Sequence, residues 1–158
     1  MTTSENLVDT AGAPAARAWM LLIARVLLAP LFLYSGTSKV LAFGYMASRL
    51  PGGAEGLGAL LTAGSIAVEL GCGLALLLGV FVRPAAAILI AFTIAATLMF
   101  HNFWAVPEAQ VTAQTINFLK NLGLIGLMGL IASFGAGPWS LQAALSRMMT
   151  DEPSRAIR

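Results

Sequence analysis

Charged side chains are scarce in this chain. Only 10% of its 158 residues are Asp, Glu, Lys or Arg, whereas 58% are hydrophobic. A soluble domain carries roughly 25% charged residues, so too few are present to solvate the surface of a soluble fold of this length. The deficit indicates that much of the surface contacts lipid instead of water.

Cysteine and histidine are almost absent, because the chain contains only Cys72 and His101. A single cysteine excludes an internal disulfide or a CxxC redox pair, and we expect Cys72 to be a packing residue. One histidine and one cysteine do not suffice for a zinc site or a bis-histidine haem site. We therefore predict no metal and no intrinsic cofactor, so any redox chemistry requires a quinone or a partner protein.

Runs of basic residues are also missing, which argues against nucleic-acid binding. The nine Lys and Arg residues are scattered singly, mostly at the ends of apolar segments. With the N-terminus inside, the inner side collects Arg17, Arg83, Arg147, Arg155 and Arg158, and the outer side holds Lys39, Arg49 and Lys120. This excess predicts a multi-pass protein of a bacterial inner membrane with both termini in the cytoplasm.

Four apolar stretches each have about the length that crosses the hydrocarbon core. They cover residues 18–41, 57–82, 85–100 and 117–134. The sequence therefore predicts an all-α fold, namely an integral membrane four-helix bundle. Its predicted parts are a flexible N-terminal tail (1–16), the transmembrane domain (17–138) and a short interfacial helix with a C-terminal tail (139–158).

Only Arg83-Pro84 separates the second and third stretches, which predicts a tight antiparallel hairpin. Small residues recur at every fourth position of both stretches, and such ridges let helices approach closely in lipid. They are Ala67, Gly71, Ala75 and Gly79 in the second stretch, and Ala87, Ala91 and Ala95 in the third. We expect these residues to serve helix packing.

Two ionisable residues interrupt the apolar stretches, Arg25 in the first and Glu69 near the middle of the second. A charge at the bilayer centre costs roughly 2.5–3.5 kcal/mol on insertion scales. The helical rise puts the two Cα atoms within about 10 Å of each other in depth. We therefore predict that Arg25 and Glu69 face the bundle interior and interact as an intramembrane ion pair, directly or through polar neighbours. Such a pair either fixes helix register or has a functional role.

Polar residues also form stripes along the helices, and all of these stripes lie in the outer half under the predicted topology. The stripe of the third stretch ends at His101, and that of the fourth ends at Asn121 with Lys120 beside it. Together they predict an outward-opening ligand pocket. Its predicted residues are Lys39, Glu69, Thr97, His101, Lys120 and Asn121. The alternatives are interfacial positions, snorkelling lysines and interhelical hydrogen bonds.

Several motifs carry a family resemblance. The first stretch contains RVLLAPLFLYSG (Arg25–Gly36) followed by Lys39, and the second has Glu69 followed by Gly71 and Gly73. Further along stand His101 with Phe103-Trp104, FLKN (residues 118–121) before Gly123, and Gly137-Pro138 before Ser140-Leu141. In this order and spacing the motifs resemble the DoxX family over roughly residues 20–145. The chain departs from the family pattern at Gln142, where an acidic residue is expected.

The resemblance implies a four-helix inner-membrane protein and marks Arg25, Lys39, Glu69, His101, Lys120 and Asn121 as family positions. It also implies a link to quinone-dependent redox work, such as thiosulfate:quinone oxidoreduction or a membrane complex of oxidative-stress and thiol enzymes. We therefore expect a membrane subunit of a redox system that binds quinone or a small oxyanion. A partner redox protein or a homo-oligomer would complete it, and no catalytic residue is assigned.

Two other functions stay open at this point. The first is a small-anion or acid transporter or channel, because intramembrane ionisable residues also mark transport paths. The second is a non-catalytic membrane anchor that holds soluble partners.

Overall fold

The computed structural model describes the backbone of residues 5–151 and the side chains of residues 14–150. Its helices are α1 (Glu5–Leu41), α2 (Phe43–Ser48), α3 (Leu57–Leu78), α4 (Val82–Phe100), α5 (Glu108–Phe134) and α6 (Leu141–Asp151), with a 3-10 turn at Phe103–Ala105. No strand occurs in this part of the chain. Within residues 5–151, four segments are long and apolar enough to cross a membrane: Pro14–Leu41, Leu57–Leu78, Val82–Ala105 and Glu108–Phe134. The predicted all-α membrane bundle is confirmed.

The four spanning helices share one apolar core. Its buried residues are Leu28, Ala29 and Phe32 of α1, Leu76 of α3, Val82, Ala86 and Leu89 of α4, and Met128 and Ile131 of α5. The opposite faces of the same helices carry exposed large side chains such as Leu27 and Leu60. Such faces are unfavourable in water but are the expected outer surface of a bundle in lipid, because lipid tails are as apolar as leucine.

Helix α1 begins at Glu5, within the segment that the sequence predicts as a flexible tail. Residues 5–16 are therefore helical, and whether this segment is flexible stays a prediction. Alanine is the best helix former, and the alanine-rich sequence before Arg17 continues the helix even through Pro14. The remaining residues of the two predicted tails, 1–4 and 152–158, lie outside the described part of the chain.

Helices α1 and α3 approach closely at two glycines. A Cβ atom on Gly36 would lie 2.8 Å from Leu70 Cδ2, and one on Gly73 would lie 3.1 Å from Leu33 Cδ2. Most of the small residues expected to serve packing are instead exposed, namely Ala67, Gly71, Ala87, Ala91 and Ala95. Glycine and alanine occur on several faces of these helices, so their spacing alone does not show which face packs.

The turn between α3 and α4 lies a few residues earlier than Arg83-Pro84. Helix α3 ends at Leu78, and Gly79 follows with the left-handed φ of 73° that glycine adopts without strain. Its N–H donates to Ala75 O at 2.9 Å. Arg83 and Pro84 belong to the first turn of α4, where the missing N–H of proline has no helical partner to lose. The antiparallel hairpin itself is as predicted.

The bundle has two chemically different ends. One end, which we call the Lys39 end, carries the C-terminus of α1, helix α2 and the start of α3. The other, which we call the Arg25 end, carries the α3–α4 turn and α6. There the N–H of Gln142 donates to Gly79 O at 3.4 Å, and the N–H of Phe81 donates to Gln142 Oε1 at 3.2 Å. These bonds attach α6 to the α3–α4 turn.

Helix α6 is amphipathic. Its apolar residues Leu145, Met148 and Met149 are exposed. A helix with an unpartnered apolar face beside the end of a membrane bundle fits the bilayer surface. The interfacial position of α6 stays a prediction. It agrees with the stacking of Trp19 on Trp139, just before α6, because tryptophan is enriched at the membrane surface; the two ring centroids are 4.9 Å apart.

Candidate functional site

Glu69 of α3 is buried, and two side chains of α1 hold its carboxylate. Lys39 Nζ lies 2.5 Å from Glu69 Oε2, and Ser35 Oγ donates to Oε1 at 2.8 Å. Ser35 and Lys39 are one helical turn apart, so both point from the same face of α1. Because both carboxylate oxygens accept a hydrogen bond and one donor is an ammonium group, the charge of Glu69 is neutralised inside the bundle. This pairing offsets much of the cost of burying the charge.

The close packing of α1 against α3 positions this ion pair. A Cβ atom on Gly36 would lie 3.2 Å from Glu69 Cβ. Glycine at position 36 therefore lets the backbone of α3 come near enough for the short Ser35 side chain to reach the carboxylate. The Lys39 ammonium group also lies 5.2 Å from the ring centroid of Phe92, which brings α4 beside the pair.

Arg25 and Glu69 do not form the predicted intramembrane ion pair. The prediction assigned the wrong partner to each residue. Arg25 has no exposed surface, and its Nη1 donates to Leu76 O at 3.0 Å while its Nη2 donates to Trp139 O at 2.7 Å. Ser35, which contacts Glu69, lies about ten residues farther along α1, or about 15 Å of helix. Depth judged on each helix separately does not reveal the register of two antiparallel helices, and the register decides which side chains meet.

Arg25 instead joins three parts of the bundle at the Arg25 end. Leu76 O belongs to the last turn of α3, where backbone carbonyls lack helical donors and carry partial negative charge. Trp139 O belongs to the segment that leads from α5 to α6. A side chain at Gly79 would collide with the guanidinium group. Arg25 therefore donates to carbonyls of two elements that meet α1 and connects them to it.

A cavity of about 690 Å³ lies beside the Lys39–Glu69 pair. Its polar wall residues are Ser35, Lys39, Arg49, Thr62, Ser65, Glu69, Thr93 and Asn121. The rest of the wall is apolar and includes Phe92 and Met99 of α4 and Leu60 of α3. Leu60 and Met99 are also exposed on the outside of the bundle, so the cavity reaches the surface that faces lipid. A mostly apolar cavity of this size with a few polar groups is typical of a small-molecule site.

Helices α4 and α5 are tied together behind the cavity wall. Asn121 Nδ2 donates to Thr97 Oγ1 at 2.8 Å, and Thr97 Oγ1 donates to Thr93 O at 2.6 Å. Asn121 lines the cavity, whereas Thr97 is buried behind it and does not. Thr97 therefore acts by orienting Asn121 and not as a lining residue.

His101 and Lys120, two predicted pocket residues, do not line the cavity. His101 is the C-cap of α4, with φ of −125°, so its side chain leaves the helix face that carries Thr93. Its Nδ1 lies 2.8 Å from Gln114 Oε1, which links α4 to the first part of α5. Lys120 is exposed on α5. Neighbouring residues on a helix point about 100° apart, so Lys120 faces away from the wall that Asn121 joins.

The structure thus brings Lys39, Glu69 and Asn121 of the predicted set together. It also adds residues that the sequence analysis did not assign to the site. Ser35 had a readable signal, since it precedes Lys39 by four residues on a helix. Arg49 had none, because it reaches the cavity only through the placement of α2 against α3.

These features define an α-helical integral membrane protein with a partly polar cavity among its spans. The family model described as DoxX matches residues 20–102, which is more than half of the chain and includes α1 from Met20 onward, α3 and α4. The chain belongs to the DoxX family. The resemblance drawn from the sequence motifs is confirmed.

Two relatives from Escherichia coli (strain K12) agree with this membership. The chain is 33% identical to inner membrane protein YphA over 131 residues. This alignment covers 80% of this chain and 91% of the relative. It is 30% identical to inner membrane protein YqjF over 126 residues, and this alignment covers 80% of this chain and 92% of the relative. No solved structure shows a significant match.

Proposed function

We propose that this DoxX-family protein is an inner-membrane subunit of a quinone-linked redox or oxidative-stress system, and that the cavity beside Glu69 binds the quinone. The observation that carries the proposal is the combination of apolar walls with an ion pair that is neutral overall. A neutral amphiphile with a polar head suits such a cavity, because its tail contacts the apolar wall and its head replaces water at the polar groups.

The inner-membrane location rests on two observations. Both curated relatives carry that location in their names. The arginines of the Arg25 end, including Arg17, Arg83 and Arg147, follow the charge bias of cytoplasmic ends. In this orientation both termini are cytoplasmic, and the Lys39 end with its cavity lies in the outer half of the membrane.

The donor groups of the cavity fit a quinone. Two N–H donors of Lys39 stay available after its contact with Glu69, since an ammonium group has three. The lysine can therefore hold a carbonyl oxygen of the head group, while Glu69 stays its counter-ion and can relay a proton. A bound quinone would supply reversible two-electron chemistry, and the electrons would come from a partner redox protein.

A small oxyanion is a second candidate ligand, and Arg49 is the observation that favours it. Arg49 is the cavity residue at the Lys39 end that has no carboxylate partner among the described residues. It is exposed, and its guanidinium group lies 5.7 Å from the ring centroid of Tyr45. An exposed charge is screened by salt, so its attraction for an anion is weak. An anion transporter would nevertheless depend on it, and flux of anions into liposomes containing an Arg49→Gln variant tests that function.

The quinone proposal is tested by calorimetric titration of the purified protein in detergent with a decyl-substituted benzoquinone. We expect saturable binding that weakens at least tenfold when the ion pair is replaced as a unit in Lys39→Met with Glu69→Leu. Replacing both partners avoids an unpaired buried charge, so the double variant is expected to fold.

Lys120→Met is the matched control, because this lysine is exposed and lies off the cavity wall. We expect it to bind quinone as the wild type does. Absence of saturable quinone binding by the wild type, or equal loss in both variants, would contradict the proposed site.

A further inference from the structure

The hydroxyl group of Thr93 is buried in the cavity region without a hydrogen-bond partner. Thr93 lines the cavity and is 5% exposed, and its Oγ1 contacts no donor or acceptor among the described residues. Leaving a buried hydroxyl unsatisfied costs free energy, and native structures contain few such groups. The position therefore needs an explanation other than packing.

The other buried threonines of the spanning helices show what Thr93 does not do. Thr62 donates to Gly58 O at 2.8 Å, and Thr97 donates to Thr93 O at 2.6 Å. Both use the carbonyl four residues earlier, which is the usual solution for a hydroxyl on a helix. The equivalent acceptor for Thr93 is the carbonyl of Leu89, and no such bond is formed. Among the three, Thr93 is therefore the one whose hydroxyl has no intrahelical acceptor.

Available donors and aromatic surface lie next to each other on this wall. Phe92 precedes Thr93 on α4, and its ring lies 5.2 Å from Lys39 Nζ. The ammonium group of Lys39 has two donors left beside its contact with Glu69, and the Nδ2 of Asn121 has one N–H left beside its bond to Thr97. The cavity groups without a hydrogen-bond partner are thus chiefly donors, and they fit a ligand head that offers carbonyl oxygens.

We propose that Thr93 donates a hydrogen bond to a carbonyl oxygen of the ligand head and makes the cavity selective for heads that carry such an acceptor. This inference rests on the proposed function, since it names the residue that selects the head group in the same cavity. Thr93 touches the ligand, and the apolar wall binds the tail without selecting the head.

The test compares two ligands of equal tail length, a decyl-substituted benzoquinone and decylbenzene, by calorimetric titration in detergent. In Thr93→Val, which keeps the shape and removes the hydroxyl, we expect quinone to bind about fivefold to tenfold more weakly. The affinity for decylbenzene should not change, because it has no acceptor. Thr93→Ser restores the hydroxyl and is expected to restore most of the quinone affinity.

The thermal unfolding midpoint of the ligand-free protein separates a ligand contact from a structural role. Thr93→Val is expected to unfold at the same or a higher temperature, because it removes an unsatisfied buried group. Thr115→Val is the matched control: its hydroxyl donates to Val111 O at 2.8 Å and lies off the cavity wall, so it should lose some stability and keep quinone affinity.

The outcomes are distinct. Unchanged quinone affinity in Thr93→Val, with the wild type still binding quinone, would overturn this inference and leave the proposed function standing. Loss of affinity for both ligands together with a lower unfolding temperature would also overturn it, since that pattern marks a packing residue. If the wild type binds no quinone, the proposed function itself fails.

Discussion

Lys39 and Glu69 form an ion pair across the interface of α1 and α3, with Nζ and Oε2 2.5 Å apart. The side chain of Glu69 is 4% exposed and that of Lys39 23%, so neither charge is freely solvated.

Removing one partner of this pair should cost more than removing both. Glu69→Leu leaves the ammonium group without its counter-ion, and loss of one partner of a buried pair typically costs about 3–5 kcal/mol. Lys39→Met with Glu69→Leu replaces both charges by apolar groups and should be the more stable of the two variants. Thermal unfolding in detergent, followed by circular dichroism, measures the order. Equal midpoints for the single and double variants would mean that the two charges do not interact.

Gly36 should be intolerant of any larger side chain. In Gly36→Val the new atoms would meet Leu70 and the Cβ of Glu69, and overpacking of this kind costs roughly 1–3 kcal/mol. We expect a lower unfolding midpoint together with weaker quinone binding, because the Ser35 and Lys39 contacts move away from Glu69. Gly71→Ala is the control, since a Cβ there meets nothing within 4 Å and alanine favours helix. Similar losses in both would contradict the close approach at Gly36.

Arg25 should be needed for stability and not for ligand binding. Arg25→Met leaves Leu76 O and Trp139 O without their donor, and hydrogen bonds to charged groups are worth about 1.5–3 kcal/mol each. We expect the unfolding midpoint to fall by several degrees while the remaining folded protein keeps its quinone affinity. Arg83→Gln, at an exposed position of the same end, should unfold as the wild type does. A variant at Arg25 that is fully stable but binds no quinone would place this residue in the functional site.

Gln142 should be replaceable by glutamate, since the sequence analysis expects an acidic residue at this position. Gln142 Oε1 accepts a hydrogen bond from the N–H of Phe81 at 3.2 Å, and a carboxylate oxygen accepts equally well. Gln142→Glu should therefore keep the unfolding midpoint, whereas Gln142→Leu should lower the stability by roughly 0.5–1.5 kcal/mol. If the leucine variant is as stable as the glutamate variant, this bond does not hold α6 in place.

The orientation can be read from two single-cysteine variants in a Cys72→Ala background. Glu55→Cys lies between α2 and α3 at the Lys39 end, and Ser146→Cys lies on α6 at the Arg25 end, and both positions are exposed. A membrane-impermeant maleimide added to spheroplasts should label residue 55 and leave residue 146 unlabelled until the cells are opened. The reverse pattern would place the cavity in the cytoplasmic half.

The fold was predictable from the sequence because it follows from the lengths of apolar runs, and those lengths are set by the thickness of the bilayer. The cavity was predictable in part, since Glu69, Lys39 and Asn121 are polar residues on spans where polarity is costly. Their partners were not predictable. The register of α1 on α3 depends on the close contacts of Gly36 and Gly73. In this register Glu69 pairs with Lys39 and not with Arg25.

The backbone acceptors of buried side chains also could not be predicted from the sequence. The acceptors of Arg25 are the carbonyls of Leu76 and Trp139, and every residue has a carbonyl, so no residue type marks them. His101 illustrates the same difficulty for helix ends. It follows Thr97 by four residues, but α4 stops before it, so the shared face no longer applies.

The bond between Arg25 and Trp139 has a consequence for how the protein is made. The two residues are 114 positions apart in the chain, and a ribosome releases the first long before it synthesises the second. The guanidinium group of the first inserted helix has neither acceptor until Leu76 is synthesised, 51 positions later, and only one until Trp139 follows. The last span and the segment behind it therefore complete the environment of the first, so α1 reaches its final contacts only after residue 139 has been synthesised.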